Sequence, residues 1–228
     1  MLNKVMEFRN EKCAPLTIDE FKSLVGVHIT TNHTGKMSGM ASISTACICN
    51  HHCTEHRNVK GSICEHCFAE RSFRMYSDGF ERCFVNNYEI LTKVEIPVEF
   101  MPVLNYSIFR IESFGDVDNE IQAKNYWNLI TANPYTQFGW WTKNYGIVEK
   151  VFDKFGKPSN VKLIIPSIML NKEYDISKFH YADKVFTVYS KDYIKENNIN
   201  INCGGNQCVT CQRCYRDNEY IYIREKKK

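Results

Sequence analysis

Tyr106-Ser107-Ile108-Phe109-Arg110-Ile111-Glu112-Ser113-Phe114-Gly115-Asp116 passes from an apolar, β-branched and aromatic run into a polar turn. A run apolar at neighbouring positions predicts a strand covered on both faces, the habit of a parallel sheet, rather than a strand with one wet side. The same kind of run returns at Thr136 to Trp141, Val161 to Ile165 and Val185 to Tyr189. Successive runs lie roughly thirty residues apart or less, the repeat of a βα unit, so the chain reads as α/β with a parallel sheet.

Helix signals fill the gaps. Asn119 can cap a helix, with Gln122 three residues on, and Ala123, Tyr126, Trp127 and Ile130 follow at one-face spacing before Asn133-Pro134 ends the pattern. Asn144 opens the next, where Ile147, Val148, Val151 and Phe152 make one stripe and Gly156-Lys157-Pro158 stops it. Phe73, Tyr76, Phe80, Phe84 and Tyr88 predict a single helix over 68 to 92 with one buried face, and Cys83 beside that stripe reads as a small apolar residue. A short helix is expected at 192 to 199 and a last strand at Tyr220 to Ile223. No repeat or linker divides the chain, so residues 1–228 read as one domain, with cysteine-rich loop inserts at 47–67 and 203–214.

In parallel α/β sheets the loops at the strand ends converge on one edge, and binding groups collect there. Polar residues follow each predicted strand: Glu112, Ser113 and Asp116, then Thr142, Lys143 and Asn144, then Ser167, then Ser190 and Lys191. Arg110, Glu112, Ser113, Asp116 and Lys143 are the candidate catalytic set, with Arg110 or Lys143 holding an anion and Asp116 accepting a proton. Ser113, Asp116 and Asn144 have a plainer alternative as helix caps.

The length of 228 residues and a hydrophobic fraction of 43% suffice for a real core, so folding does not require disulfides. The opening segment lacks the apolar run and cleavage site of a secretory signal, and no stretch is long enough to cross a bilayer. A cytoplasmic setting is expected, where stable disulfides are disfavoured. The formal net charge of +3 is small, and the basic run Arg224 to Lys228 reads as a solvated terminus, so nucleic acid is not the favoured partner.

Nine of the eleven cysteines fall into two groups: Cys47, Cys49, Cys53, Cys64 and Cys67, then Cys203, Cys208, Cys211 and Cys214. Under reducing conditions such grouping points to metal ligands or catalytic thiols. Cys208, Cys211 and Cys214 recur every third residue, which lets one loop present thiolates to different irons of a cluster, as in ferredoxins; Cys203 is the nearest fourth ligand. The first group admits two readings. Zinc would use four thiolates, for example Cys49, Cys53, Cys64 and Cys67. An iron–sulfur cluster would use Cys47, Cys64 and Cys67, with Cys49 or Cys53 as the fourth or one iron left open. His51, His52 and His56 compete with many thiolates and read as surface or supporting groups rather than ligands. Radical enzymes that cleave S-adenosylmethionine space three cysteines with gaps of three and two residues; Cys49 and Cys53 fit the first gap, but position 56 is histidine. Cys13 has no evident partner.

Taken in order, Ala46-Cys47, Gly61-Ser62-Ile63-Cys64-Glu65-His66-Cys67-Phe68-Ala69, Phe109 through Asp116, Phe138-Gly139-Trp140-Trp141-Thr142-Lys143-Asn144 and Cys208 through Tyr215 form a motif series from about residue 35 to 216. It resembles a family of phage-encoded proteins described as gene product 88-like. The resemblance implies a phage gene acting in the host cytoplasm, an iron–sulfur pattern of cysteines, and a barrel-like α/β fold distantly similar to radical enzymes. On it, Cys47, Cys64, Cys67, Cys208, Cys211 and Cys214 match recurring cysteines, and Arg110, Ser113, Asp116, Thr142 and Lys143 match recurring rim residues. Cys49, Cys53 and the nearby histidines lie outside its pattern.

The leading expectation is one or two iron–sulfur clusters of the 4Fe-4S type on a parallel β/α barrel-like sheet, partial or open. The expected work is redox or cluster-assisted catalysis on a small molecule, or exchange with a redox partner. The alternative is a zinc-stabilised module that binds nucleic acid or protein.

Overall fold

The apolar runs form parallel strands because residues buried on both faces need neighbours that are helix-covered. They are β3 (Ile108–Ile111), β4 (Gln137–Trp141), β5 (Val161–Pro166) and β6 (Lys184–Tyr189). Two short strands precede them, β1 (Ile29–Thr30) and β2 (Ala41–Ile43), and β7 (Tyr222–Lys226) follows. The seven strands form one sheet in the order β1 to β7, antiparallel between β1 and β2 and parallel at every other pairing. This computed structural model describes residues 26–216 and 218–227; Cys13, the opening segment and Lys228 lie outside the described residues.

Each strand lies beside its predecessor in sequence, so the described strand order contains no reversal of the kind that opens a crevice in doubly wound sheets. Binding groups must then come from strand-end loops or from segments laid on a face.

Side chains alternate across the sheet, and the register sorts them. Phe109 aligns with Phe138 and Val161, and Ile111 with Trp140 and Leu163. This face packs against Ala123, Tyr126, Leu129 and Ile130 of α5 (Glu120–Ala132) and Val148, Val151 and Phe152 of α6 (Tyr145–Phe155). The other face carries Met40, Ile108, Trp141 and Ile164 and is covered by Tyr215 with Cys208, Val209 and Cys214. The second cysteine segment is therefore a cover for the sheet face turned away from α5 and α6.

Asn119 caps α5 as expected, accepting from the Gln122 backbone N–H at 2.9 Å. The Gln122 side-chain Oε1, however, accepts from the Asp118 N–H, one residue before the cap. Asn144 does not cap α6 with its side chain; it donates to the Val117 carbonyl instead.

The single helix expected over 68 to 92 is interrupted. α2 (Phe68–Met75), α3 (Ser77–Phe80), a π turn at Glu81–Val85 and α4 (Asn86–Lys93) replace it, after α1 (His51–Arg57). The Ser77-Asp78-Gly79 stretch favours turns over helix interiors, and the rotation at Tyr76 leaves that ring 62% exposed instead of on the buried stripe. Phe84 and Tyr88 are buried, and Cys83 is half-buried. The expected short helix is α7 (Lys191–Glu196), capped by Ser190. The last strand starts two residues later than expected and continues into the basic run. Arg224 pairs with Glu173 and Glu225 with Lys36, so that run through Lys226 is an edge strand, not a solvated tail. Among the described residues no helix is long and apolar enough to cross a membrane.

Candidate metal centres

The first cysteine group is assembled at the edge where β2, β4 and β5 end. Cys47 follows β2, Cys53 lies in α1, Cys64 in the next turn and Cys67 immediately before α2. The Cys64 turn is pinned to the chain after β5: Ile63 N–H donates to the Ile168 carbonyl at 2.8 Å, and Ser62 bridges Met169. α1 is fixed by Asn50, whose Oδ1 accepts from Cys53 N–H at 2.7 Å while its amide donates to the Asp116 carbonyl at 2.8 Å.

Cys53, Cys64 and Cys67 form one electrostatic unit with Lys143, and Cys47 joins it through Cys67 and Cys53. Cys47 donates to Cys67, which holds the Cys47 proton on and stabilises the Cys67 thiolate; the N–H groups of Glu70 and Ala69 at the start of α2 lower Cys67 further. Burial raises Cys53 and Cys64, and Lys143 opposes both shifts. Burial also works against the charge on Lys143, yet Asp116 and the surrounding thiols outweigh it and hold that ammonium on. Cys49 is not in this unit. Burial raises it, and the charges acting on it are Glu89, Asp118, Glu81 and Lys93. The structure thus does not bring Cys49, Cys53 and position 56 together.

Cys203, Cys208, Cys211 and Cys214 form the second unit. Cys208 and Cys211 close one helical turn, α8 (Cys208–Cys211), and Gln212 at φ +51° turns the chain back so that Cys214 faces the sheet. Cys203 is held beside β7, its N–H donating to the Arg224 carbonyl at 3.0 Å. Burial raises Cys203, Cys208 and Cys214, the last to about 12. Lys36 pulls Cys203 and Cys208 down, and Arg110 does so for Cys208 and Cys214. Lys36 Nζ stands 3.9 Å from Cys203 Sγ and pairs with Glu225 at 2.5 Å. Nothing in the sequence pattern marked Lys36, which sits 167 positions from its thiol.

The five rim candidates divide. Arg110 lies under the second unit, its guanidinium 4.1 Å from the Trp141 ring centre, and Lys143 lies inside the first. Glu112, Ser113 and Asp116 are buried, at 2%, 6% and 2% exposure. Asp116 accepts from Thr142 Oγ1 at 2.6 Å and from the N–H groups of Val117 and Lys143. Ser113 joins Ser42 and Ser44 in a hydroxyl chain. None of the three caps a helix; they lock the strand ends together. Glu112 accepts from Tyr126, Thr45 and Gln122, and burial nonetheless raises it to about 7.

His52 and His56, expected as surface or supporting groups, form with Glu55 the one trio of metal-ligand side chains among the described residues whose donor atoms all lie within 4.8 Å of one another. Their spacing of three and four residues on a helix was the available signal. No three thiols of either unit lie mutually that close among the described residues.

No family model matches the chain, and no curated protein and no solved structure matches it.

Proposed function

We propose that this chain is an iron–sulfur protein with two centres, one held by Cys47, Cys53, Cys64 and Cys67 at the strand-end edge and one by Cys203, Cys208, Cys211 and Cys214 on the sheet face. The observation that carries the reading is that each cysteine group gathers round a fixed cation: Lys143 acts on Cys53, Cys64 and Cys67, with Cys47 hydrogen-bonded to Cys67, and Lys36 and Arg110 act on Cys203, Cys208 and Cys214, with Cys211 beside them. Four neutral thiols would leave Lys143 only Asp116 as counter-charge, whereas ligating thiolates need the cation.

The three-residue recurrence of Cys208, Cys211 and Cys214 favours a cluster over a single ion. Tetrahedral zinc, with Zn–S near 2.3 Å, draws its four sulfurs to within about 4 Å of one another. A cubane carries each thiolate on its own iron and keeps them farther apart. Such a centre supplies one-electron redox chemistry when bound. The chain's part is to hold the thiolates, to tune the centre through Lys143, Lys36 and Arg110, and to leave the half-buried Cys64 and Cys67 side open to a small molecule or redox partner.

The order of strands, each beside its predecessor, suits a partly open β/α barrel, with the second centre on its inner face. A phage origin, as the gene product 88-like resemblance implies, and work in the host cytoplasm belong to the same proposal. Oxygen-free purification tests it. Brown protein carrying iron and acid-labile sulfide is expected, and colourless protein with stoichiometric zinc on its thiols would overturn it.

A further inference from the structure

A second kind of metal site is built into α1 without using its thiol. Residues at i, i+3 and i+4 share a helix face, which places His52, Glu55 and His56 side by side. The two imidazole rings lie with centroids 4.0 Å apart and tilted by 38°, and the donor atoms of all three residues fall within 4.8 Å of one another.

One ring is oriented by a neighbour. His56 Nδ1 is 2.9 Å from the His52 backbone carbonyl, which can only accept, so Nδ1 carries the hydrogen and Nε2 is the ring nitrogen free for a metal. A backbone carbonyl on the far ring nitrogen is the usual way proteins orient a metal-binding histidine. On the other ring, His52 Nε2 is buried and has no hydrogen-bond partner among the described residues. Buried polar atoms are nearly always satisfied, so this one calls for a ligand. Glu55 is exposed, which gives an ion a route in and leaves the outer side of the site open.

We infer that His52, Glu55 and His56 bind one divalent transition-metal ion of the zinc class. Two imidazoles and a carboxylate are a borderline-hard donor set suited to zinc, and three protein ligands leave a fourth position for water. The inference does not rest on the iron–sulfur reading, because it uses none of the thiols.

Cobalt(II) is the probe, added to anaerobically purified protein with whatever metal its thiols already hold. One cobalt per chain is expected, giving weak visible d–d bands without a thiolate-to-cobalt charge-transfer band. His52→Ala/His56→Ala should bind at least tenfold more weakly, with iron and sulfide content unchanged. Should the double variant fail to fold, His56→Ala alone must show the same loss, since that side chain is only half-buried. A charge-transfer band from the added cobalt, binding unaffected by the histidine changes, or no binding by the unaltered protein would overturn the inference. Iron and sulfide in the same samples report separately on the thiol centres.

Discussion

Gly139 and Tyr215 are in contact across the sheet face: a Cβ on Gly139 would stand 2.7 Å from Tyr215 Cε1 and 2.5 Å from Trp141 Cζ3. The absence of a side chain on β4 is what lets the tyrosine seat, and Cys214 is its immediate neighbour. Gly139→Val should push Tyr215 outward and destabilise the fold by about 1–3 kcal/mol, the usual cost of overpacking. It should also deplete metal from the second unit while sparing the first. Thermal unfolding and metal analysis, with the Cys47 unit as internal control, check this; full occupancy of the second unit would show that Tyr215 is not what seats the cysteine loop.

The central strands and the stripes of α5 and α6 were legible because burial on both faces and a helical period leave strong apolar signatures. β1 and β2 were not, since two- and three-residue strands with Ser42 among them carry no run, and their pairing to β3 is a tertiary fact. In the site, the grouping of cysteines was visible, but not which thiol joins Lys143: Cys49 lies before α1 and Cys53 within it, because the helix starts at the Asn50 cap, which is tied to Asp116. Asparagines hid a further device. Asn125 and Asn128 look like polar helix positions and Asn133 like a helix end, yet all are buried and bond the coil that leads into β3.

Asn125 is the test of that device. Its amide donates to the Leu91 and Val94 carbonyls at 2.8 and 2.7 Å, and its oxygen accepts from Ile96 N–H at 2.7 Å. Asn125→Ala leaves three buried backbone groups without partners, and at 1–3 kcal/mol for an unsatisfied group the loss should be about 3 kcal/mol or more. Denaturant unfolding measures it. A change within about 0.5 kcal/mol, the range of ordinary surface substitutions, would mean that the coil finds other partners.

Glu112 makes stability fall as pH rises. Its folded value of about 7, against an ordinary 4.5, means that the native state keeps a proton the unfolded chain has released. The contribution is complete below about pH 4.5 and is lost as pH passes through about 7, amounting to roughly 3 kcal/mol. Glu112→Gln fixes the neutral form, so a constant offset aside, the variant should gain on the unaltered protein across that window. Parallel melting-temperature profiles for the two proteins would reveal the divergence; parallel curves would place the carboxylate in its charged form throughout.

Cys49 and Cys53 should separate on substitution. Cys53→Ala removes a thiol from the unit around Lys143 and should cost the first centre its iron. Cys49→Ala should leave iron content and colour unchanged, because that thiol faces Glu89 and Asp118 instead. Iron and sulfide per chain, measured without oxygen, decide between them. Equal loss in both variants would return Cys49 to the ligand set.

Lys143 ties the electrostatics to the proposed redox work. Its ammonium sits among Cys53, Cys64 and Cys67 and is held charged by Asp116, whose carboxylate is fixed in turn by Thr142 and the Lys143 N–H. A buried cation stabilises the more negative, reduced form of a thiolate-bound cluster, so it raises the potential. Lys143→Gln should therefore lower the potential of the first centre by on the order of tens of millivolts while leaving the second, governed by Lys36 and Arg110, where it was. Lys143→Arg should retain most of the unaltered value, since it keeps the charge. Anaerobic redox titration of the three proteins reads both centres at once, and a shift in the second centre, or none in either, would remove Lys143 from this role.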